Sequence, residues 1–324
     1  MNPRKPHVTT VLLARRARAL KRHVAGAIKG DGVGVHQARV ASRRLREAVP
    51  VLATGLKGSR TANARRKIRR LTRALGKVRE LDVTLRLLDD MAQRETFPRV
   101  ALEEVRGRVV AGREEGREQM LKRLARIRLD KLDRRLASVA RTLEAERSDG
   151  WRQELARRLL KRSKALGAAV EAAGHMYAPE QVHAVRIALK KLRYAMELAA
   201  EGGQREAAKL LPKLKRGQET LGRLHDLQVL QTHVAAVQAQ PARTTSPDAG
   251  LEVIAGALER ECRYLHGRYV RQIPTLQSVA STTRTVVVPQ VSRAARGRRP
   301  IKMALDARGG GRFRSRQLTA TAAR

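Results

Sequence analysis

The feature that most constrains this chain is a pattern of eleven residues that it carries twice. His36-Gln37-Ala38-Arg39-Val40-Ala41-Ser42-Arg43-Arg44-Leu45-Arg46 and His183-Ala184-Val185-Arg186-Ile187-Ala188-Leu189-Lys190-Lys191-Leu192-Arg193 both read His-x-x-Arg-x-x-x-basic-basic-Leu-Arg, with an offset of 147 residues from 36 to 183. A second pair follows at nearly the same offset, 146 residues from 75 to 221, where Leu75-Gly76-Lys77-Val78-Arg79-Glu80-Leu81 matches Leu221-Gly222-Arg223-Leu224-His225-Asp226-Leu227. Two motifs in one order at one spacing mean a duplicated unit, and its length suits a four-helix unit rather than a short-repeat solenoid.

Apolar residues recur at helical spacing almost everywhere, and alternation of the strand type is confined to Val286-Val287-Val288 before Pro289. The chain is therefore expected to be all α. Gly and Pro punctuation predicts helices over 8–29, 34–54, 61–91, 98–147 (broken), 151–173, 180–201, 204–236 and 249–275, two sets of four. The expected divisions are a first repeat over 1–148, a second over 149–285 and a basic, disordered C-terminal tail over 286–324. The segment 238–250, QAQPARTTSPDAG, lacks an apolar period and is expected to be a flexible loop.

On a helix turning about 100° per residue, His36, Arg39, Arg43 and Arg46 fall within an arc of about 80°. Ala38, Ala41, Leu45, Ala48 and Leu52 lie opposite, on the face that would bury. His183, Arg186, Lys190 and Arg193 repeat the stripe, opposed by Val185, Ala188, Leu192, Ala195, Met196 and Ala199. An ordinary solvated face mixes charges, as 103–118 does with Glu and Arg, whereas these stripes contain no acid. Stacked like charges cost an isolated helix a few tenths of a kcal/mol per pair, so an external anion is expected to neutralise them. In the following helix Arg66, Arg69, Arg70, Arg73 and Lys77 share a second basic face; the other repeat keeps Lys215, Arg216 and Arg223 but has Glu219 at the place of Arg73, which predicts a less positive groove there. The two histidines lie near expected helix starts, where backbone N–H groups attract phosphate and an imidazole adds charge below roughly pH 6.5.

Composition narrows the anion. Lys and Arg number 70 against 30 Asp and Glu, a formal charge of +40, so the partner is anionic. Aromatic residues are only 2% of the chain, too few to stack bases along a single strand, which favours a polymer without bases over nucleic acid; DNA or RNA remains the competing polyanion. Cys262 is the single cysteine, excluding an intramolecular disulfide and a cysteine zinc cluster. No run of about 18 apolar residues and no secretory signal is present, so no transmembrane segment and a cytoplasmic location are expected. No carboxylate set for metal-assisted phosphoanhydride chemistry is evident; the expectation is a binding protein without cofactor or metal, not an enzyme.

The motifs HQARVASRRLR with LGKVRELDV, and HAVRIALKKLRY with LGRLHDLQV, resemble those of the conserved histidine alpha-helical domain, the CHAD family, over approximately residues 8–280. The resemblance implies two pseudo-symmetric four-helix bundles lining a basic central cavity, binding of inorganic polyphosphate, and targeting to polyphosphate granules. The ligand contacts it implies are His36, Arg39, Arg43, Arg44 and Arg46, with His183, Arg186, Lys190, Lys191 and Arg193. Arg69, Arg73, Lys77, Lys215 and Arg223 join them from their facing. The Glu-x-Glu-x-Lys strand of the triphosphate-tunnel domains to which such proteins are sometimes fused is not found in this sequence.

Overall fold

The computed structural model describes residues 5–56, 59–94, 96–239 and 247–296, and among these there is no strand. The all-α expectation holds. The helices are α1 (Val8–Lys29), α2 (Gly32–Leu52), α3 (Ser59–Ala74), α4 (Gly76–Ala92), α5 (Arg99–Ile127), α6 (Leu129–Glu146), α7 (Gly150–Ala173), α8 (Pro179–Glu201), α9 (Arg205–Gln238), α10 (Pro247–Thr282) and α11 (Val288–Arg296). No helix of the described residues is long and apolar enough to cross a membrane.

Local chemistry sets the turns. α1 stops at Gly30, which takes φ 85° and donates to the Ala27 carbonyl while Asp31 N–H donates to that of Gly26. Asp31 then caps α2, its carboxylate accepting from Val33 N–H (3.0 Å) and Gly34 N–H (2.8 Å). This cap occupies the first free amides of α2, so the helix start beside His36 is not the open phosphate site expected from sequence. α1 and α2 then cross where Gly26 meets Gly34; a Cβ on Gly34 would lie 2.6 Å from the Gly26 carbonyl carbon and 2.7 Å from Ala27 N.

The helix expected over 61–91 is two helices that meet at Leu75. Arg39 of α2 donates from Nη1 to the Thr72 carbonyl (3.3 Å), the acceptor that Gly76 N–H would use in an unbroken helix. The segment 98–147 breaks, as expected, at Arg128, which adopts the left-handed φ of 53°. At the C-terminal end the valine run is not extended. Thr283–Val287 form a π turn and Val288–Arg296 a helix. Two causes are visible: Thr283, Val287 and Val291 recur at helical spacing and are all buried, and Pro289 has no N–H to give the Thr285 carbonyl, which a π turn accommodates. Residues 286–296, assigned to the tail on sequence grounds, are thus helical, and 297–324 lie outside the described residues, as do 240–246 of the expected loop.

Ala38, Ala41, Leu45, Ala48 and Leu52 of α2 are buried as their phase requires, and so are Val185, Ala188, Leu192, Ala195, Met196 and Ala199 of α8. One connected set of buried apolar side chains runs from α1 to α11. α2 packs against α1, α3 and α8, and α8 packs against α7 and α9, so the two motif-bearing helices lie next to each other.

Gly34→Ala should force α1 and α2 apart, with an overpacking cost of about 1–3 kcal/mol, and lower Tm by several degrees. Gly107, in the interior of α5 with open space at its Cβ, is the control: Gly107→Ala should raise Tm, since alanine in a helix interior is favoured by roughly 0.5–1 kcal/mol. Thermal melts of both variants check the pair.

Candidate functional site

The stripes of α2 and α8 face each other and line two cavities of about 590 Å³ and 550 Å³. Arg39, Arg43, Ile187, Lys190 and Tyr194 line both, so the cavities join into one groove. The larger cavity adds Arg46 from α2, Arg65, Arg69 and Arg73 from α3, Arg158 and Arg162 from α7, and Lys191 from α8. The smaller adds His36, His183, Arg186 and Arg193, with Arg79 from α4 and His225 and Asp226 from α9. Ten Lys and Arg side chains line the larger cavity against one acid, Glu47, and that acid is already shared by Arg158 (3.3 Å) and Arg162 (3.6 Å).

Charge crowding marks the groove centre. Lys190 is only 8% exposed. Burial first, then Arg186, Arg43 and Arg39, push its ammonium down to about 6, against an opposing pull from Asp226. Burial and then Arg43 lower Arg39 to about 10. Arg186 is lowered chiefly by burial, although Asp226 counteracts it. Asp226 is itself pushed up by burial, which its cationic neighbours only partly reverse. Around the groove Arg79 Nη1, Arg186 Nε, Arg193 Nε and Arg162 Nε are buried N–H groups without an acceptor among the described residues. Buried donors are normally satisfied, so these define directions in which an anionic oxygen would be welcome.

The histidines are neutral hydrogen-bonding groups. His36 Nδ1 accepts from Arg79 Nε at 2.9 Å; a guanidinium only donates, so the ring proton is on Nε2, which is left as a donor. His183 and His225 pack with ring centroids 4.8 Å apart. All three are pushed down from the ordinary range, first by burial and then by neighbouring cations, His225 to about 3. The charge that sequence reasoning expected them to add near pH 6.5 is therefore withheld until the medium is more acidic. The matched motif positions meet in both halves: His36 with Arg79, and His183 with His225.

Other expected contacts are placed elsewhere. Arg44 turns from the groove to pair with the buried Glu197 of α8 (2.8 Å), while Arg193 lines the smaller cavity, reaches the same carboxylate (2.9 Å) and stacks near Tyr194. Lys77 is exposed beside Glu115 (3.8 Å), and Arg223 lies 4.0 Å from Asp90 beside a small separate cavity. Lys215 and Glu219 are exposed and line neither part of the groove. Sequence reasoning missed Arg65, Arg79, Arg158, Arg162, Tyr194 and His225. Arg79 and His225 had a signal, being the same position of the second repeated motif. Among the described residues no group of three His, Cys, Asp or Glu side chains is arranged to hold a metal ion.

Comparison with known proteins gives the following similarities. The CHAD domain profile matches residues 11–235. The crystal structure of the CHAD domain from the plant Ricinus communis superposes with a TM-score of 0.52 at 24% identity, covering 86% of this chain and 91% of that one. PptA from Streptomyces chartreusis superposes with a TM-score of 0.54 at 16% identity, covering 86% of this chain and 99% of that one. At these identities the two structures establish a shared fold. No curated protein sequence matches the chain.

Lys190 yields a pH prediction. Its pKa falls from an unfolded value near 10.4 to about 6 in the folded protein, so the unfolded state binds more protons between those values and folding stability rises with pH across that window. The penalty is full below about pH 6 and vanishes as pH approaches the unfolded value. Lys190→Met should therefore stabilise the protein, with a larger Tm gain at pH 5.5 than at pH 9. Melts of both proteins across that range measure the difference, and a gain independent of pH would refute the assignment.

Proposed function

The chain belongs to the CHAD domain family, and from that premise we propose that its groove between α2 and α8 binds inorganic polyphosphate and holds it without cleaving it. The observation that carries this reading is the larger cavity, where ten cationic side chains face one already neutralised acid. A chain of phosphates supplies a negative charge at every unit and lets each Arg or Lys meet a different phosphate while condensed counterions are released. Among the described residues the only Phe, Trp or Tyr lining the joined cavities is Tyr194, so they offer no platform for successive bases, which favours this polymer over single-stranded nucleic acid. Binding without turnover would carry the protein to polyphosphate granules.

A phosphate close to Lys190 favours its ammonium form, so at neutral pH binding takes up a proton. Affinity should fall as pH rises above about 6, and Lys190→Arg, which stays charged, should flatten that dependence. Titration calorimetry in buffers of different ionisation enthalpy reads the uptake directly.

Arg43, Arg46 and Arg69 are the residues to remove, because Arg39 also holds the Thr72 carbonyl. Replacing the three with Gln should weaken polyphosphate binding more than tenfold, given about 1.5–3 kcal/mol for hydrogen bonds to charged groups, while helicity and Tm are kept. Unchanged affinity, or duplex DNA competing equally per phosphate, would remove the reading. So would the non-catalytic part fall if purified protein released phosphate from polyphosphate with Mg²⁺ and an Asp226→Asn variant did not.

A further inference from the structure

The groove is not the only basic concavity that α3 lines. On its other side α3 meets α6 in an open cleft of about 420 Å³, lined by Arg60 and Asn63 of α3 and by Lys131, Arg134, Arg135 and Ser138 of α6. We propose that this cleft is the outer end of a second phosphate track, which takes the overhang of a polyphosphate chain too long for the groove. The proposal rests on the groove reading above.

Continuity comes from α3 itself, which carries seven Lys and Arg residues and no acid. Arg65, Arg69 and Arg73 line the groove. At about 100° per residue Arg66 and Arg70 come next around the helix, and Lys67 and Arg60 follow on the α6 side, so cations cover roughly 220° of the circumference. The rest is the buried arc of Ala64, Ile68 and Leu71. Arg66 and Arg70 are exposed between the two concavities, which makes the path from one to the other cationic throughout.

The cleft cations are oriented rather than neutralised. Arg134 pairs with Asp130 within α6 (2.8 Å). Among the described residues Arg60, Lys131 and Arg135 have no carboxylate within ion-pair distance. Arg60 Nη1 lies 3.4 Å from the neutral Ser138 Oγ, while Asp130 adjoins Lys131 and accepts from its backbone N–H; Asn63 Oδ1 accepts from Arg66 Nη2 at 2.9 Å. Lys67 turns its ammonium to the Ile127 and Arg128 carbonyls at the end of α5, and is lowered by burial and then by Arg135 despite Asp130. The α6 wall intersperses Asp130 and Asp133 with its cations, whereas the α3 wall carries cations and no acid, so the excess positive charge of the cleft comes from α3. An open cleft of this kind adds affinity only once the groove is filled, because the tethered overhang then meets it at high effective concentration.

The test compares the full-length wild type with an outer variant, Arg60→Gln/Lys131→Gln/Arg135→Gln, and with the groove variant Arg43→Gln/Arg46→Gln/Arg69→Gln, using size-fractionated polyphosphate. Circular dichroism and melts establish that each is folded, and Arg60→Lys/Arg135→Lys serves as a charge-conserving control. The outer variant should bind short chains like wild type but lose about fivefold to tenfold on long ones, with a shallower salt dependence for long chains only. The groove variant should lose affinity for both, and the Lys control should behave as wild type. Three results would overturn the proposal: wild-type affinity of the outer variant for long chains; equal losses on short and long chains, which means diffuse attraction; or a loss confined to duplex DNA. Failure of wild type to bind even short chains would instead remove the groove reading, and this one with it.

Discussion

Two like-charged helices packed side by side are the constraint around which the molecule is arranged. α2 and α8 bury Arg39, Arg186 and Lys190 and bring Arg43 beside them, so that burial first and neighbouring cations second depress the proton affinity of those three, and that repulsion has to be offset elsewhere. The apolar backs of both helices do most of it, since the stripe Ala38, Ala41, Leu45, Ala48 and Leu52 and its counterpart on α8 are fully in the core. Asp226 of α9 opposes the shifts of Arg186 and Lys190, and two further carboxylates neutralise the flanking cations. Glu197 of α8 holds Arg44 across the interface and Arg193 beside it, and Glu47 of α2 holds Arg158 and Arg162 of α7. Ion pairs of this kind add little net stability, but removing one partner strands buried charge, so they fix which cations are neutralised and which are left to the groove.

The division is functional in consequence. Arg44, expected to touch the ligand, is used for the interface, and Arg39 is used both for the groove wall and for the α3–α4 break through the Thr72 carbonyl. Gly76 permits that arrangement, because a Cβ there would already lie 3.0 Å from Arg39 Nη1. The motif glycine and the motif arginine are therefore one device: the break lets α3 and α4 splay, so that α3 lines the larger cavity and α4 supplies Arg79 to the smaller.

The free groove stores unfavourable electrostatics. Burial and like charge hold Lys190 largely uncharged near neutral pH and keep the three histidines neutral, with His36 set as an Nε2–H donor by Arg79. On the proposed reading, a bound polyphosphate would relieve the penalty at Lys190 by favouring its ammonium form. Basic tracts that merely sit in solvent store no such energy, because screening by water and salt removes it.

Much of this was legible in the sequence. The helical class, the buried phase of both motif helices and the cationic phase opposite it follow from spacing alone, because a helix of 3.6 residues per turn fixes which side chains share a face. The first helix was read to its observed ends, since Gly30 and Asp31 are local signals. What spacing cannot supply is which face meets which helix. Arg44 stands about 160° around α2 from Arg46, off the stripe; it pairs with Glu197 while Arg46 lines the cavity, and only the packing of α8 beside α2 supplies that partner. Lys77, Lys215 and Arg223 share their helices' basic faces but lie outside the groove for the same reason. Arg158 and Arg162 enter it from α7 with no motif to mark them. The break at Leu75 and the burial of Val287 and Val291 were likewise settled by neighbours distant in sequence, Arg39 and α7. The chain determined its helices and their charged faces; the tertiary structure decided which charges were left without a partner, because neutralisation depends on distance in space and not on position along the chain.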